Sequence, residues 1–391
     1  MKIICFYHCP CLDGAFSVLT LFAFVKCVIE GKKIKGEFNE FFQRLLDYPK
    51  KKGDNKEIIE EIKEEIQGNM EIEEEKGDSK EFLLSFFDKT EKFKDVIQFF
   101  GVKPSRDNEN FRSLLKRIKY HLNPEETIII LLDYYGESLA NLELLSSLSK
   151  KLIIIDHHQS FFELFNTVEF NIKEKITIFG NIENGACVLT YKFLSELLGD
   201  ILPFNLSSRL LNILQYIEDH DLRSRKFKET EAIITSLLEL INDLSIYSNP
   251  MLFNSLMKHE IPILIELGTP ILARKLEKIK VLLKNKRKIK IIISPTVKIQ
   301  GFSLKITNGQ DKSLINELGE ALAEESMKEE MDNIGIVFLQ LNEGFRVCMR
   351  GLNTKAESPC LLIAKSIDGG GHKFAAGGWI SKKTMKKWFQ N

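Results

Sequence analysis

The sequence lacks an excess of charge of either sign, since 55 Lys and Arg residues stand against 55 Asp and Glu residues in a chain of 391. There is therefore no global basic field to gather nucleic acid, and contact with a polyanion would need a local patch. The sequence also lacks any apolar run as long as a membrane span, although 44% of its residues are hydrophobic. These absences predict a soluble globular protein without a membrane partner, large enough for two or three domains.

We expect no export signal either. The beginning, MKIICFYHCPC, has an apolar part that is too short for a signal peptide and leads directly into polar residues. The seven cysteines are scattered and odd in number. Both features favour a reduced, cytoplasmic setting.

Short strands alternate with helices through the first part of the chain. Residues 2–7, 127–135 and 151–156 are rich in β-branched and apolar residues and are typical of strands buried on both faces. Amphipathic or apolar helical patterns separate these runs. Residues 1–254 are therefore predicted to form a parallel-sheet domain with helices on both faces.

Residues 31–122 differ in character from the rest of this domain. The stretch is strongly charged, and Ile58, Ile59, Ile62 and Ile66 recur at helical spacing. We expect a charged helical insertion outside the catalytic region, with docking of a protein partner as the alternative.

The remainder of the chain predicts a second, smaller α/β domain. Residues 255–289 form an apolar and basic helical pattern, which suggests a connector. Strand and helix patterns then alternate through residues 290–391. The predicted fold class is α/β, with a parallel-sheet N-terminal domain and a smaller C-terminal α/β domain.

Polar side chains interrupt apolar elements where those elements end. In KLIIIDHHQS, residues 151–160, an apolar strand runs directly into Asp156, His157 and His158. The C-terminal ends of parallel strands share one edge of a sheet, so distant residues can converge there. Similar residues end other elements: His8, Cys11, Asp13, Asp133, Asp219, His220 and Asp221. Carboxylates mixed with imidazoles suit Mn²⁺, Mg²⁺ or Co²⁺, and two such ions would activate a water and hold a phosphoryl oxygen. The alternative is a structural cluster in which one histidine caps a helix.

A second motif, GGGHKFAAGG, lies near the end of the chain. Glycines at 369, 370 and 371 let backbone amides approach an anion closely, and His372 follows them. Arg350 ends the preceding strand pattern and could bind a phosphate through two hydrogen bonds. The alternative is a tightly packed glycine loop with Arg350 at the surface.

These stretches together resemble the DHH phosphoesterase superfamily, in the two-domain form with the DHH-associated C-terminal domain. The matching segments occur in the family's order: YHCPCLDG, LLDYYG, IIIDHH, NGACVL, YIEDHDL, RVCMRG and GGGHKFAAGG. They span nearly the whole chain apart from residues 31–122. YHxxCxDG is similar to a branch of predicted phosphohydrolases.

The resemblance implies a role for each matching residue, with the active site in the cleft between the two domains. A first metal ion would be held by His8 and Asp133, with Cys11 at the position of a further ligand. A second would be held by Asp13, Asp133, His157 and Asp219. Asp156 would orient a histidine, and His158 would face the substrate phosphate. The catalytic set would be Asp133, His157 and His158, and the substrate would be bound by His158, Arg350, Gly369, Gly370, Gly371 and His372.

Cys11 departs from the family pattern, because better-known members have an aspartate ligand there. A neutral thiol is a poor ligand for hard ions, so the first site would bind Mn²⁺ weakly, stay empty or favour Zn²⁺. One or two ions are thus expected. The neighbouring Cys9 adds the alternative of a separate Cys-x-Cys metal or disulfide site.

The predicted function is metal-dependent hydrolysis of a phosphodiester or phosphomonoester in a nucleotide or short oligonucleotide. One alternative is a weakly active or inactive relative that binds nucleotides or serves in an assembly, which Cys11 and the charged stretch motivate. Another is hydrolysis of polyphosphate, although the balanced charge speaks against a long polyanion.

Overall fold

The computed structural model describes most of the chain and divides it into two compact units. The described residues are 1–29, 38–48, 96–103, 109–166, 174–199, 204–241, 260–306, 314–341, 344–352 and 357–388. Unit 1 comprises Met1–Leu222 and Lys226–Ile265, and unit 2 comprises Arg223–Arg225 and Glu266–Asn391. The division falls at Ile265, inside the stretch 255–289 that the sequence predicts to be a helical connector.

Unit 1 is built on a sheet of five parallel strands in the order β2-β1-β3-β4-β5. The strands are β1 Lys2–His8, β2 Ile97–Val102, β3 Thr127–Leu132, β4 Lys151–Ile155 and β5 Ile176–Phe179. Every residue of β3 and β4 is buried. Burial on both faces explains why these strands are nearly continuous apolar runs.

Helices cover both faces of this sheet. They are α1 Leu12–Ile29, α2 Phe38–Asp47, α3 Glu109–Ile118, α4 Leu139–Ser147, α5 Gln159–Asn166, α6 Ala186–Leu198, α7 Phe204–Asp221 and α8 Thr230–Leu240. Short 3-10 turns occupy Lys119–His121 and Pro124–Glu126.

The two faces of β1 belong to two separate cores, because successive side chains of a strand point in opposite directions. Ile3, Cys5 and Tyr7 pack in the core formed with α1, α2, α6, α7 and α8. Ile4 and Phe6 pack in the core formed with α3, α4 and α5.

Part of the stretch 31–122, which the sequence predicts to be a charged helical insertion, belongs to this fold. Strand β2 pairs with β1 from Ile97 to Val102 and forms an edge of the sheet. Phe41, Phe42 and Leu45 of α2 are buried in the larger core. Residues 30–37, 49–95 and 104–108 lie outside the described residues, and a protein partner for this stretch stays a prediction.

Unit 2 is built on a six-stranded mixed sheet in the order β10-β11-β9-β8-β7-β6. Its strands are β6 Arg287–Ile292, β7 Lys298–Ile306, β8 Gly335–Gln340, β9 Gly344–Arg350, β10 Gly370–His372 and β11 Ala375–Ser381. Its helices, with α9 beginning in unit 1, are α9 Ile261–Leu283, α10 Ile315–Lys328, α11 Cys360–Lys365 and α12 Lys382–Trp388. Within the described residues of this sheet, β7 and β8 pair in parallel, and the other pairings are antiparallel.

The predicted fold class is confirmed, with a parallel sheet in unit 1 and a smaller α/β unit at the C-terminal end. The predicted glycine loop is a β-hairpin, since β10 pairs with β11 across Gly370–His372. Among the described residues, no helix combines the length and hydropathy needed to cross a membrane.

Candidate metal centre

The C-terminal ends of three neighbouring strands bring polar side chains to one edge of the sheet in unit 1. His8 is the last residue of β1, Asp133 follows β3, and Asp156, His157 and His158 follow β4. Since β1, β3 and β4 are adjacent and parallel, their ends meet as the sequence predicted.

Asp133 lies at the middle of this cluster. Its Oδ2 is 3.2 Å from His8 Nδ1, and its Oδ1 is 3.3 Å from His157 Nε2. Its backbone has a φ of 53°, and its amide donates a 3.0 Å hydrogen bond to the carbonyl of Ile155. A non-glycine residue in this conformation costs about 1–3 kcal/mol, and such residues concentrate at functional sites.

The beginning of helix α6 fixes the carboxylate of Asp13. The amides of Ala186 and Cys187 each donate a 2.7 Å hydrogen bond, one to each carboxylate oxygen. These are the first two amides of the helix, which have no partner inside it and favour an anion. Asp13 is thereby held with Oδ2 3.5 Å from His157 Nε2.

Glu218 supports the same turn, and the sequence analysis did not identify it. Its Oε1 accepts hydrogen bonds of 2.9 Å from the amide of Gly185 and 3.0 Å from the side chain of Asn184. Its position on α7, one turn before Asp221, could have indicated that it lies near the cluster.

Of the two acidic residues at the end of α7, it is Asp221 that reaches the cluster. Its Oδ2 lies 3.4 Å from His157 Nε2. The carboxylate of Asp219 instead accepts hydrogen bonds from the amide of Lys226 at 2.7 Å and the hydroxyl of Thr230 at 2.5 Å. In this structure Asp219 therefore fixes the loop before α8, and Asp221 lies beside His157; Asp219 as a metal ligand stays a prediction.

Asp156 orients His158. Its Oδ1 accepts a 2.7 Å hydrogen bond from the His158 amide and lies 2.9 Å from His158 Nδ1. Burial lowers the pKa of His158, but the Asp156 carboxylate outweighs it and raises that pKa to about 9. His158 is therefore held as a cation, able to donate hydrogen bonds.

Cys11 has a ligand atom near those of His8 and Asp133, since all three atoms lie within 4.8 Å of one another. Burial, followed by the carboxylates of Asp133, Asp221 and Asp13, raises the pKa of its thiol well above its usual range. The thiol is therefore protonated here. All seven cysteines, Cys9 included, are free thiols, so Cys9 and Cys11 form no disulfide.

The donor set fits divalent cations. Among the described residues, three groups have ligand atoms within 4.8 Å of one another, namely His8, Cys11 and Asp133; Asp133, His157 and His158; and Asp13, His157 and Asp221.

Two observations fit a cation in this arrangement. The buried Oδ1 of Asp133 accepts no well-aligned hydrogen bond from any residue that the structure describes, although His157 Nε2 lies 3.3 Å away. Burial, with Asp133 and Asp221 nearby, raises the pKa of Asp13 to about 7. A cation between these oxygens would bind Oδ1 of Asp133 and would lower the raised pKa of Asp13.

The predicted substrate-binding residues of the C-terminal part lie in unit 2. Arg350 donates hydrogen bonds to Asn316 Oδ1 at 2.5 Å and to the carbonyl of Met349 at 2.7 Å, while its Nε has no partner among the described residues. Its stem packs against Gly319, where a Cβ would lie 2.7 Å from Arg350 Cγ. Its contact with phosphate stays a prediction.

The structural reason for glycine differs among the three glycines of the β10 hairpin. A Cβ on Gly369 would lie 2.2 Å from the carbonyl oxygen of Gly377, and Gly371 has a φ of 136°. Close backbone contact thus accounts for glycine at 369 and the positive φ accounts for glycine at 371, while their contact with a substrate stays a prediction. A Cβ on Gly370 would meet nothing within 4 Å, which leaves space above its backbone. The side chain of His372 lies outside the described part of the chain.

No family model matches the sequence, and no curated protein matches it. Among solved structures, the chain is similar to a DHH domain from a member of a family of ribosomal proteins, with a TM-score of 0.55 and 11% identity, over 99% of this chain and 85% of that one. It also matches an exopolyphosphatase-related protein from Bacteroides fragilis, with 13% identity over 99% of this chain and 90% of that one and a TM-score of 0.48. RecJ from Thermus thermophilus in complex with Mn²⁺ matches with 11% identity over 99% of this chain and 51% of that one, at a TM-score of 0.44.

The first of these similarities shows that the protein has the DHH fold. The resemblance predicted from the sequence motifs is thus confirmed at the level of the fold.

Proposed function

We propose that this protein is a metal-dependent phosphoesterase. The observation that carries the proposal is the convergence of buried carboxylates and imidazoles on Asp133, which takes part in two of the candidate ligand groups. Several carboxylates and imidazoles around a shared, unsatisfied aspartate oxygen are a donor set for one or two divalent ions of the Mn²⁺, Mg²⁺ or Co²⁺ type.

Each residue of the cluster has a proposed role. His8 and Asp133, with Cys11 beside them, would hold a first ion, and Asp13, Asp133, His157 and Asp221 would hold a second. An ion bound there would lower the pKa of a water molecule and stabilise charge on a phosphoryl oxygen.

His158 would bind the substrate phosphate. Its imidazole is fixed by Asp156 at 2.9 Å and carries a proton at neutral pH, so it can donate a charge-assisted hydrogen bond to a phosphoryl oxygen. This bond strengthens as negative charge develops on that oxygen during the reaction.

The proposed substrate is a nucleotide or a short oligonucleotide. In unit 2, Arg350 and the backbone of Gly370 would bind further phosphate oxygens, together with His372. The balanced net charge of the chain favours a short substrate over long polyphosphate.

A weakly active relative is the second candidate, and the protonated thiol of Cys11 favours it. Hard ions bind poorly to a neutral thiol, so the first metal position would stay weak. Metal content together with turnover distinguishes the two candidates.

The test is a screen of phosphate release and diester cleavage with Mn²⁺, Mg²⁺, Co²⁺ and Zn²⁺, using the wild type and Asp133→Asn. Asparagine tolerates the left-handed backbone of this position, so the variant changes the ligand with little added strain. Turnover should fall by about a hundredfold or more, because the shared carboxylate is lost. Asp47→Asn, on the exposed surface of α2, is the matched control. Wild-type turnover in Asp133→Asn would show that this cluster is not the active site.

A further inference from the structure

One exposed tryptophan and one exposed arginine form a cross-strand pair on the sheet of unit 2. Trp379 of β11 lies directly opposite Arg346 of β9 in the antiparallel register, so both side chains lie on the same face. Trp379 is 39% exposed, and Arg346 is exposed as well. Within the described part of the chain, neither side chain has a hydrogen bond, ion pair or cation–π contact.

The indole of Trp379 lies against the backbone of Gly344. A Cβ on Gly344 would lie 2.6 Å from Cζ2 of Trp379, so the indole covers the position where a side chain would otherwise stand. The ring is thus fixed on one side and open to solvent on the other. A rigid aromatic surface of this kind is suited to stacking with a planar ligand.

Small residues lie next to this pair on the same face. Gly377 is two residues before Trp379 on β11, and it pairs with Cys348 on one side and Gly370 on the other. Nothing lies within 4 Å of the position of a Cβ on Gly370. A Cβ on Gly377 would lie 2.8 Å from the carbonyl oxygen of Val347, so the open space is at Gly370. Two residues of strand rise, about 7 Å, separate Gly377 from the indole.

We propose that Trp379 stacks on the base of a nucleotide substrate, with Arg346 and the open backbone at Gly370 beside it for the attached phosphate. The inference rests on the proposed function and deepens it, because it assigns a nucleobase to the substrate and excludes bare polyphosphate. An unpaired arginine next to an open indole matches a ligand that is both aromatic and anionic.

The first experiment measures binding without chemistry, through the fluorescence of the two tryptophans of the chain. Trp379 is exposed, whereas Trp388 is buried at 8% exposure and packs near Phe338. AMP should quench the emission of the full chain in a saturable manner, and the quenching should disappear in Trp379→Phe, which keeps Trp388. Ribose 5-phosphate, which lacks a base, should quench little. Absence of quenching by AMP, or equal quenching in Trp379→Phe, would overturn the proposal.

The second experiment compares two substrates that share a leaving group, the p-nitrophenyl ester of thymidine 5′-phosphate and methyl p-nitrophenyl phosphate. Trp379→Ala should raise KM for the nucleotide ester relative to the methyl ester by about tenfold, as expected for the loss of one stacked base. Arg346→Met should act in the same direction, and Ile292→Ala, an exposed apolar residue on edge strand β6, is the control. An equal change in KM for both esters would overturn the base-stacking role. Failure of the wild type to cleave either ester with any metal would contradict the proposed function, and the fluorescence titration would still decide whether Trp379 binds a base.

Discussion

At the scale of the residue, Asp219 and Asp221 differ because helix α7 turns between them. An α-helix rotates by about 100° per residue, so two residues apart lie on nearly opposite sides. Only one of these aspartates can face His157, while the other faces the loop at Lys226 and Thr230.

Substituting each aspartate separately should give opposite results. Asp221→Asn should weaken binding of Mn²⁺ by at least about tenfold, because one charged ligand is lost. Its stability in metal-free buffer should not fall, since the removed charge repels Asp13. Asp219→Asn should lower stability by about 1–3 kcal/mol through hydrogen bonds lost in the loop, with metal affinity largely kept. Calorimetric titration and urea unfolding measure both quantities, and the reverse assignment of effects would show that Asp219 is the ligand.

Cys11 is the second residue whose substitution is informative. Its raised thiol pKa means that a metal ion must displace a proton before sulfur can ligate, whereas a carboxylate needs no such step. We expect the wild type to bind one Mn²⁺ ion tightly rather than two. Cys11→Asp should strengthen the weaker site and raise activity at low Mn²⁺.

Cys11→Ser is the matched control for this change, because it introduces oxygen without charge and should not strengthen the site. Titration calorimetry with Mn²⁺ compares the three proteins. Two equally tight sites in the wild type, or no gain from the aspartate, would contradict the weak-site interpretation.

The residues at the strand ends were predictable, whereas the roles of two residues on helix α7 were not. His8, Asp133 and His157 follow apolar runs that can only be strands, and a parallel sheet brings such ends together. Glu218 and Asp221 lie on a helix whose rotation about its own axis depends on packing against α6 and α1. That packing involves residues far apart in sequence, so the local pattern does not contain it.

At the scale of the element, Lys151 links strand β4 to helix α2. Its ammonium donates 2.7 Å hydrogen bonds to the carbonyl oxygens of Leu46 and Tyr48, at the C-terminal end of that helix. Carbonyls at a helix end have no partner inside the helix and favour a cation.

Lys151→Met should therefore loosen helix α2 from the sheet. The methionine keeps the apolar stem but leaves two carbonyl oxygens without their donor, at a cost of about 1–3 kcal/mol. For a domain of this size each kcal/mol lowers Tm by about 2–4 °C. Lys150→Met, at the exposed neighbouring position, is the control. Equal Tm values for the two variants would show that the contact does not stabilise the fold.

Strand β2 and the β10–β11 hairpin are two of the elements that the sequence pattern did not reveal. IQFFGV is a run of six residues beside a long charged stretch. A run of this length is too short to show the two-residue period of a strand clearly. The glycines of the hairpin carry no apolar pattern at all. Both segments become strands because a neighbouring strand supplies their hydrogen bonds, β1 in one case and β9 in the other.

At the scale of the whole molecule, the metal centre should contribute to stability as well as to function. Asp13 and Asp133 are both nearly fully buried, and burial with the charge of Asp133 raises the pKa of Asp13, so a divalent ion bound between them would stabilise unit 1. A ligand that binds only the folded state at a hundred times its Kd stabilises that state by about 2.7 kcal/mol.

Adding Mn²⁺ to chelator-treated protein should consequently raise Tm, and removing it should lower Tm and abolish turnover. Thermal unfolding with Mn²⁺, Mg²⁺, Co²⁺ and Zn²⁺ measures the preference among ions. Asp133→Asn should lose most of the rise, while Asp47→Asn should keep it. A rise of equal size in both variants would place the stabilising ion at another site.

The sequence by itself determined the three central strands of the sheet in unit 1, β1, β3 and β4, and the polar residues at their ends. Continuous runs such as KLIII and TIIILL are stable only when buried on both faces, and this requirement is contained in the run itself. The order of strands and helices then defines a parallel sheet, and with it the edge where His8, Asp133 and His157 meet.

The tertiary structure alone decided which helix residues complete that edge and which segments join the sheets. Asp13 is fixed by the amides of α6, and Asp221 rather than Asp219 approaches His157. The register of β11 on β9 determined that the side chain of Trp379 lies opposite Arg346. Each of these outcomes depends on contacts between elements distant in the chain, and such contacts are set by packing and hydrogen bonding rather than by any local periodicity.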